Sequence, residues 1–202
     1  NIAKQWGLDT DFIDNSITLI NWDVKTPNVV EIPSEMSLYP MAILLDNLHE
    51  KLQVEVETQD IDELLLDTLE VLENPDITKV NLRDGSDVIT PAAALMAISE
   101  GGEIIGASHT KGKETDRIIR TCELLEKFSL DCIPKSDGLI LSGGSYPRKP
   151  ESPIETHMDH RLAMTAVILA TYCGAEIKNT EIINVTHPDF MQMINSLKLL
   201  QP

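Results

Sequence analysis

The chain has 202 residues, of which 42% are hydrophobic and only 4% aromatic, and its 33 acidic against 16 basic residues give a formal net charge of −17 at pH 7. This length suits one domain or a tight pair of subdomains. The charge argues against a nucleic-acid partner, because phosphate backbones need a basic surface. No apolar run reaches the roughly 18 residues that span a bilayer, and the first residues do not form a signal peptide. We therefore expect a cytoplasmic globular protein that contacts neither nucleic acid nor membrane.

The beginning of the chain is typical of the end of a helix. Residues 2–6 followed by Gly7 match a last helical turn with its C-terminal glycine, so residues 1–8 are expected to be the tail of a preceding element. The first residue, Asn1, is not an initiator Met. We expect a single domain over residues 1–202 that belongs to a longer polypeptide. Two short strands, 12–13 and 17–22, are predicted next, joined by an Asp-Asn-Ser turn.

Three times the chain then shows a small-residue helix, a strand and a second helix. The first helices are 37–49, 90–99 and 161–172. In the last two, the runs 92–97 and 163–170 are apolar nearly all round, which is typical of buried helices. The strands after them are 53–57, 103–105 and 176–178. The second helices repeat Leu or Ile at i, i+3 and i+4 with charges between, so each should lie half exposed; they are 61–72, 115–127 and 189–200. Two further strands, 129–133 and 139–141, repeat the helix–strand–turn–strand layout of the N-terminus. The pattern predicts an α/β (α+β) fold of about three units, each with one buried and one surface helix.

Cysteine and histidine are too scattered to predict a metal site. The three cysteines, Cys122, Cys132 and Cys173, form no C-x-x-C pair and no Cys/His metal spacing. An odd, dispersed set favours reduced, buried thiols in a cytoplasmic protein. The histidines that lie near other polar residues are His109, His157 and His160. No Cys or spaced carboxylate completes a ligand set with them, so we expect no metal.

A basic cluster lies between strand 103–105 and helix 115–127. It contains Lys111, Lys113 and Arg117, with Arg120 one turn further on. In a chain this acidic, such local positive potential favours an anionic ligand. The start of a helix adds free backbone N–H groups and the positive end of the dipole. The alternative interpretation is a solvated, charged first helical turn.

A second polar cluster, residues 155–161, has the same layout just before another apolar helix. Arg161 follows His160 there, and its guanidinium suits bidentate binding of a carboxylate or phosphate. The alternative for Arg161 is an ion pair with Asp159 or Glu155. Two unrelated solvated helix ends are not expected to share one layout and both carry an Arg, so the clusters favour one common site.

Two carboxylates near helix starts are candidates for proton transfer. Asp87 stands just before helix 90–99 and would accept a proton from a substrate hydroxyl, although Ser86 or Asp87 would also serve as a simple helix cap. Glu114 is either a second acid/base or a dipole partner in the first helical turn. Two proton-moving carboxylates among several cations suit chemistry on a phosphorylated small acid.

The motifs resemble those of a known family. The segments Lys113-Glu-Thr-Asp-Arg117 and Asp159-His-Arg-Leu-Ala-Met164 resemble the paired signatures of 5-enolpyruvylshikimate-3-phosphate synthases, also named 3-phosphoshikimate 1-carboxyvinyltransferases. Weaker matches, Ser86-Asp87 and His187-Pro-Asp-Phe190, follow the expected order. The resemblance covers nearly the whole chain but only about the C-terminal half of such an enzyme. It implies an enolpyruvyl transferase-type domain of repeated βαβαββ units, three per domain, with buried helices. It also implies that the missing N-terminal domain is a partner.

The resemblance further implies a reaction without metal or organic cofactor. The enolpyruvyl group of phosphoenolpyruvate is transferred to the 5-hydroxyl of shikimate 3-phosphate, a step of aromatic amino acid biosynthesis in the shikimate pathway. By motif, the implied catalytic residues are Asp87 as the base near that hydroxyl, Lys113 in contact with the hydroxyl and phosphoenolpyruvate, and Glu114 moving the methylene proton. The implied substrate-binding residues are His109, Lys113, Arg117, His160 and Arg161. Glyphosate is the inhibitor expected for such a site.

The chain also departs from the family pattern. Val185 stands where the family usually carries a Lys, and the usual Gly-Asp segment between Ser34 and Asp87 is not evident. These departures support an alternative, a non-catalytic enolpyruvyl transferase-like domain that serves binding or assembly. A third possibility, the sister enzyme that acts on UDP-N-acetylglucosamine, is disfavoured by the 113–117 motif. Without an N-terminal half, the isolated chain is expected to be inactive.

Overall fold

The computed structural model describes residues 6–8, 12–13, 16–17, 23–29, 36–49 and 78–197, with isolated positions 52, 68, 71, 72 and 74. The chain divides into two compact units, Asn1–Pro33 and Ser34–Pro202. The first unit contains two short antiparallel strands, β1 (Phe12–Ile13) and β2 (Ser16–Ile17). The second unit contains the main sheet, the helices and the polar clusters. A single domain over residues 1–202 stays a prediction.

The sheet of the second unit has four strands in the order β3-β4-β6-β5. They are β3 (Lys79–Asn81), β4 (Gly102–Ile105), β5 (Cys132–Lys135) and β6 (Gly138–Leu141). The pair β3–β4 is parallel, and the pairs β4–β6 and β5–β6 are antiparallel. Val80 lies opposite Ile104, which lies opposite Leu139, and all three side chains are buried. One row of apolar residues across three strands therefore fixes the register.

The described residues form five α-helices. They are α1 (Tyr39–Leu48), α2 (Ile89–Ile98), α3 (Arg117–Lys127), α4 (His160–Cys173) and α5 (Phe190–Ser196). Helix α2 is buried at every position, as its run of alanines and large aliphatic residues predicts. It packs against α1, α3 and α4. Helix α3 buries one face and leaves the other in water, so the predicted contrast between buried and surface helices is confirmed for α2 and α3.

One complete βαβαββ unit is visible in the order β3–α2–β4–α3–β5–β6. A parallel bridge between Ile154 and Ile177 flanks α4 as the parallel pair β3–β4 flanks α2. The third repeat is therefore present in reduced form. The predicted strand 176–178 is wrong in extent, because only this single bridge forms. The predicted strand 53–57 and most of helix 61–72 lie outside the described residues.

Helix α3 begins two residues later than predicted. Asp116 is its N-cap and accepts a hydrogen bond from the Ile119 N–H at 3.3 Å. A short side-chain acceptor at this position satisfies a backbone donor that the helix leaves open. As a result Lys113, Glu114 and Thr115 precede the helix, and Arg117 is its first residue.

The expectation of three reduced thiols is wrong for two of them. Cys122 on the buried face of α3 and Cys132 at the start of β5 form a disulfide, with their Cα atoms 5.0 Å apart. They meet because α3 packs directly against β5, which spacing in the sequence does not reveal. Cys173 remains a free thiol, and burial raises its pKa. The disulfide removes the cysteine-based argument for a cytoplasmic location.

No helix in the described part of the chain has the length and apolar character needed to cross a membrane.

Candidate active site

The N-terminal ends of α2, α3 and α4 meet in one polar cluster. Asp87 lies in the short 3-10 helix Ser86–Val88 just before α2. Glu114 lies in the connection that leads into α3, and Asp159 is the N-cap of α4. Each helix start contributes one carboxylate, where the positive end of a helix dipole stabilises negative charge.

Arg117 is the centre of this cluster and is only 1% exposed. Its Nε donates to Asp159 Oδ2 at 2.9 Å, and its Nη1 donates to Asp87 Oδ1 at 2.8 Å. Its Nη2 donates to Glu114 Oε2 at 2.6 Å and to Asp159 Oδ1 at 3.3 Å. Burial lowers the pKa of Arg117, but the three carboxylates outweigh it and hold the pKa above its ordinary value. A permanently charged guanidinium therefore joins three separate segments of the chain.

Asp159 is fully buried and has further donors of its own. It accepts from the Thr115 hydroxyl at 3.0 Å and from the Arg161 backbone N–H at 2.9 Å. Burial raises the pKa of Asp159, but the hydrogen bonds and charge of Arg117 and the bonds from Arg161 and Thr115 bring it below the ordinary value. Asp159 therefore stays ionised and acts as both helix cap and counter-ion.

Asp87 is more accessible, with 46% of its side chain exposed. Lys113 Nζ lies 3.2 Å from the same Oδ1 that Arg117 contacts. Burial raises the pKa of Asp87, while Lys113, Arg117 and Arg161 lower it further than burial raises it. Asp87 is therefore a carboxylate at neutral pH, as a proton acceptor must be. The N-cap residues of the 3-10 helix and of α2 are Gly85 and Val88, and neither helix start has a side-chain capping bond. The predicted alternative of Asp87 as a simple helix cap is therefore not what forms.

His160 lies at the start of α4 with its Nδ1 3.7 Å from Glu114 Oε1. Its pKa is lowered by burial and by the charge of Arg161, against the opposing effects of Asp159 and Glu114. The imidazole is therefore neutral at pH 7 and is available as a hydrogen-bonding group.

The Arg161 side chain turns towards the start of α1. Its Nη2 donates to Ser37 Oγ at 2.5 Å, and its Nη1 lies 3.4 Å from the Ser37 carbonyl oxygen. Ser37 belongs to the short 3-10 helix Met36–Leu38 that leads into α1. The predicted alternative, a side-chain ion pair with Asp159 or Glu155, is not what forms, because Asp159 binds the Arg161 backbone and Glu155 pairs with Lys178.

The other predicted cations are engaged elsewhere. Lys111 donates to the Ser136 carbonyl oxygen at 2.8 Å, and Arg120 pairs with Glu123 at 2.7 Å. His109 is exposed on the short segment between β4 and α3. Of the four cations near the start of α3, Lys113 and Arg117 thus reach the carboxylate cluster.

A single carboxylate fixes the connection that leads to Lys113. Asp137 accepts from the backbone N–H of Gly106 at 3.0 Å and of Ser108 at 2.8 Å. These bonds from Ser108 and Gly106 hold the pKa of Asp137 below its ordinary value. Gly106 has φ +73°, which turns the chain sharply after β4. The β5–β6 turn therefore holds the first residues of the segment that carries His109 and Lys113 in position.

The turn before Asp159 has an unusual backbone. His157 and Met158 both have positive φ values, 51° and 57°, and the Asp159 N–H donates to the Thr156 carbonyl at 2.9 Å. Left-handed conformations are unfavourable for residues with a Cβ. The two strained residues directly precede Asp159, the main counter-ion of Arg117. Backbone strain of this kind is often found at functional sites.

We expect Met158→Gly to raise the free energy of unfolding by about 0.5–1 kcal/mol, because Gly adopts positive φ without steric cost. Met158 is 50% exposed, so little packing is lost. Chemical denaturation followed by circular dichroism measures the change. Met193→Gly is the matched control, since Met193 is 41% exposed in α5 and should lose about 1 kcal/mol as a helix interior glycine. A loss of stability in both variants would show that the turn carries no strain.

The groups that hold the cluster together have weak sequence signals. Asp159 was visible only as part of a motif and as a possible partner of Arg161, although an Asp before an apolar helix is a recognisable N-cap signal. Thr115 and Ser37 carried no separate signal. Both act through contacts between helix starts that are distant in sequence.

A groove of about 370 Å³ lies between α3 and residues 153–157. It is lined by Arg120, Glu123 and His157 among others, and not by the residues around Arg117. Within the described residues, no group of three or more His, Cys, Asp or Glu side chains is arranged to hold a metal ion.

Comparison with known proteins identifies the family. The sequence profile of EPSP synthase (3-phosphoshikimate 1-carboxyvinyltransferase) matches residues 26–194. The chain belongs to the EPSP synthase family. A 3-phosphoshikimate 1-carboxyvinyltransferase of Methanobrevibacter smithii is 33% identical over 119 residues, covering 58% of this chain and 26% of that protein. One of Methanothermobacter thermautotrophicus is 36% identical over 112 residues, covering 55% and 26%.

The fold is also that of the family. EPSP synthase from Acinetobacter baumannii superposes with a TM-score of 0.71 at 20% identity, covering 95% of this chain and 52% of that chain. The predicted enolpyruvyl transferase-type α/β fold is confirmed. The chain spans about a quarter of the curated relatives that it matches and about half of the A. baumannii enzyme.

Proposed function

We propose that this chain forms one half of an active site that transfers the enolpyruvyl group from phosphoenolpyruvate to the 5-hydroxyl of shikimate 3-phosphate. The observation that carries the proposal is the contact of Arg117 with Asp87 and Glu114 across two helix starts. The residues that the family motifs single out are therefore neighbours in space. Membership of the family supplies the reaction class.

In this reaction the 5-hydroxyl oxygen forms a bond to C2 of phosphoenolpyruvate while C3 gains a proton. Asp87 accepts the hydroxyl proton, and its low pKa keeps it ionised for that step. Glu114 takes up a proton from solvent before this step, gives it to C3, and takes one back when the tetrahedral intermediate expels phosphate and the double bond returns. Lys113 lies 3.2 Å from Asp87, where it would stabilise charge near the reacting hydroxyl.

The charge balance of the cluster bears on how an anionic substrate is held. Asp87, Glu114 and Asp159 offset Lys113, Arg117 and Arg161, so the cluster is close to neutral. Lys113 is the most open of these cations, with 35% of its side chain exposed. Further positive charge is therefore needed to hold a phosphate and a carboxylate together. We propose that the N-terminal half supplies it, and that the isolated chain is inactive.

The substrates in this proposal are small, phosphorylated metabolites, and a cytoplasmic location is proposed on that ground and no longer on the cysteines. His109, exposed on the short 3-10 helix Ser108–Gly112, is proposed to face shikimate 3-phosphate. His160 and Arg161 are proposed to contact phosphoenolpyruvate from the start of α4. Glyphosate is the proposed inhibitor of the complete site.

A second candidate function is a non-catalytic domain that binds or assembles. It is favoured by Val185, which is 75% exposed at the end of the 3-10 helix Thr180–Val185 and cannot replace the charge of a lysine. Loss of one cation would weaken a phosphoenolpyruvate site without altering the fold.

Titration of phosphoenolpyruvate into the full-length protein separates the two functions. We expect binding in the wild type and its loss in Arg117→Ala, with Arg117→Lys as a milder variant that keeps the charge. Arg120→Ala is the matched control, since Arg120 lies on the same helix and pairs with Glu123. No binding in the wild type, or equal binding in the wild type and Arg117→Ala, would favour the non-catalytic domain.

A further inference from the structure

Carboxylates of its own chain contact all three nitrogens of the Arg117 guanidinium. Asp159 covers the Nε edge with two contacts, Asp87 covers Nη1 and Glu114 covers Nη2. Only 1% of the residue is exposed. An external anion therefore reaches Arg117 only by taking the place of one of these carboxylates.

The three carboxylates differ in how firmly they are held. Asp159 is buried, caps α4 and accepts two further hydrogen bonds, from Thr115 and from the Arg161 backbone. Removing a buried carboxylate from its cation would leave both charges without compensation, which costs several kcal/mol. Asp159 is therefore a fixed part of the site.

Of the two remaining carboxylates, Glu114 is the easier to displace. Asp87 is bound by both Arg117 and Lys113. Glu114 has one short contact, to Arg117, and a longer one of 3.7 Å to His160. Glu114 is 43% exposed, so water solvates its carboxylate as soon as an incoming anion takes its place on the buried Arg117.

We propose that Glu114 is an internal competitor for the anionic group of the substrate. It occupies Nη2 of Arg117, and an incoming carboxylate or phosphate must displace it. The competition itself depends only on the contacts above, while the identity of the substrate rests on the proposed function. Displacement keeps three anionic groups on Arg117 and releases Glu114 beside the newly bound molecule.

This competition has a consequence for the proposed reaction. The carboxylate that is released is the one assigned to proton transfer at C3. While it is paired with Arg117, its oxygen is engaged and is a poor proton carrier. Substrate binding therefore frees the Glu114 carboxylate, which takes up a proton from solvent and becomes the acid that protonates C3, at the cost of weaker binding.

The test uses the full-length protein and inorganic phosphate as the probe, with phosphoenolpyruvate as the second ligand, measured by calorimetric titration. Glu114→Gln removes the charge, and Glu114→Asp keeps the charge but is one methylene too short to maintain the 2.6 Å contact. We expect phosphate affinity to rise about tenfold in Glu114→Gln and severalfold in Glu114→Asp, while turnover falls in both.

The matched controls are Glu123→Gln and Glu123→Asp. Glu123 pairs with Arg120 at 2.7 Å with the same i,i+3 spacing and a similar exposure of 48%, but away from Arg117. These variants change the net charge equally and should leave phosphate affinity and turnover unaltered. A similar gain in the Glu123 variants would assign the effect to overall charge and would overturn the competition.

The outcomes separate this inference from the proposed function. Unchanged or weaker phosphate binding in both Glu114 variants, or no phosphate binding in any variant, overturns the competition. Tighter phosphate binding in a protein whose wild type forms no product from phosphoenolpyruvate and shikimate 3-phosphate supports the competition and overturns the proposed function. Normal product formation without any gain in affinity leaves the function and removes the competition.

Discussion

Glu114→Ala and Asp87→Ala, made separately in the full-length protein, are each expected to lower turnover by about two to four orders of magnitude, the usual effect of losing a positioned acid or base. Asp87 is ionised and lies within reach of Lys113 and Arg117, so its loss removes the proposed proton acceptor and leaves two cations with less compensation. Glu114 binds the other terminal nitrogen of the same guanidinium. Steady-state release of inorganic phosphate at saturating substrate measures the effect.

The conservative variants separate chemistry from packing. Asp87→Asn and Glu114→Gln keep the shape of each side chain, and they should lose turnover nearly as strongly as the Ala variants. Glu123→Ala on the exposed face of α3 should retain normal turnover. Near-normal turnover in both Asp87→Ala and Glu114→Ala would show that the roles of the two residues are misassigned.

Asp159→Ala is expected to destabilise the protein by about 3–5 kcal/mol, because it leaves the guanidinium of Arg117 buried without its main counter-ion. The substitution also removes the N-cap of α4 and the acceptor of the Thr115 hydroxyl. Urea unfolding followed by circular dichroism measures the loss. Glu155→Ala is the matched control, since Glu155 forms an exposed ion pair with Lys178 and should cost less than about 1 kcal/mol. Equal effects of the two substitutions would mean that burial of the Arg117–Asp159 pair has no energetic importance.

The same residue predicts a pH dependence. The pKa of Asp159 is lower in the folded protein than its ordinary value of about 3.9. Its contribution to stability is therefore complete above about pH 4 and is lost as the pH falls through the lowered folded value. The stability difference between the wild type and Asp159→Asn, measured by urea unfolding, should shrink as the pH falls below about 4.

Local signals predicted most of the elements around the site. The alanine-rich run in α2 and the spacing of Ile118, Cys122 and Leu125 in α3 mark one buried and one half-exposed helix. These patterns depend on neighbours within a few residues, so they can be read from the chain itself. The 176–178 strand was overestimated, because a short apolar run does not show whether a partner strand extends beside it.

Pairing between distant segments was much harder to predict. Cys122 and Cys132 gave no motif, yet the packing of α3 on β5 joins them. Lys111 and Lys113 are only two residues apart. Even so, Lys111 donates to the turn between β5 and β6, whereas Lys113 pairs with Asp87 in the carboxylate cluster. A side chain's partner depends on which surfaces the helices and strands present to each other.

The sequence by itself determined the family, the buried and exposed helices, and the charged residues from which a site is built. Only the tertiary structure decided that Arg117 is buried among Asp87, Glu114 and Asp159, and that Arg161 turns towards Ser37. The physical reason is the distance along the chain over which each interaction acts. Helical periodicity and capping act over a few residues, whereas the ion pairs at the start of α3 exist only because three helix ends, up to about seventy residues apart in the chain, are packed around one guanidinium.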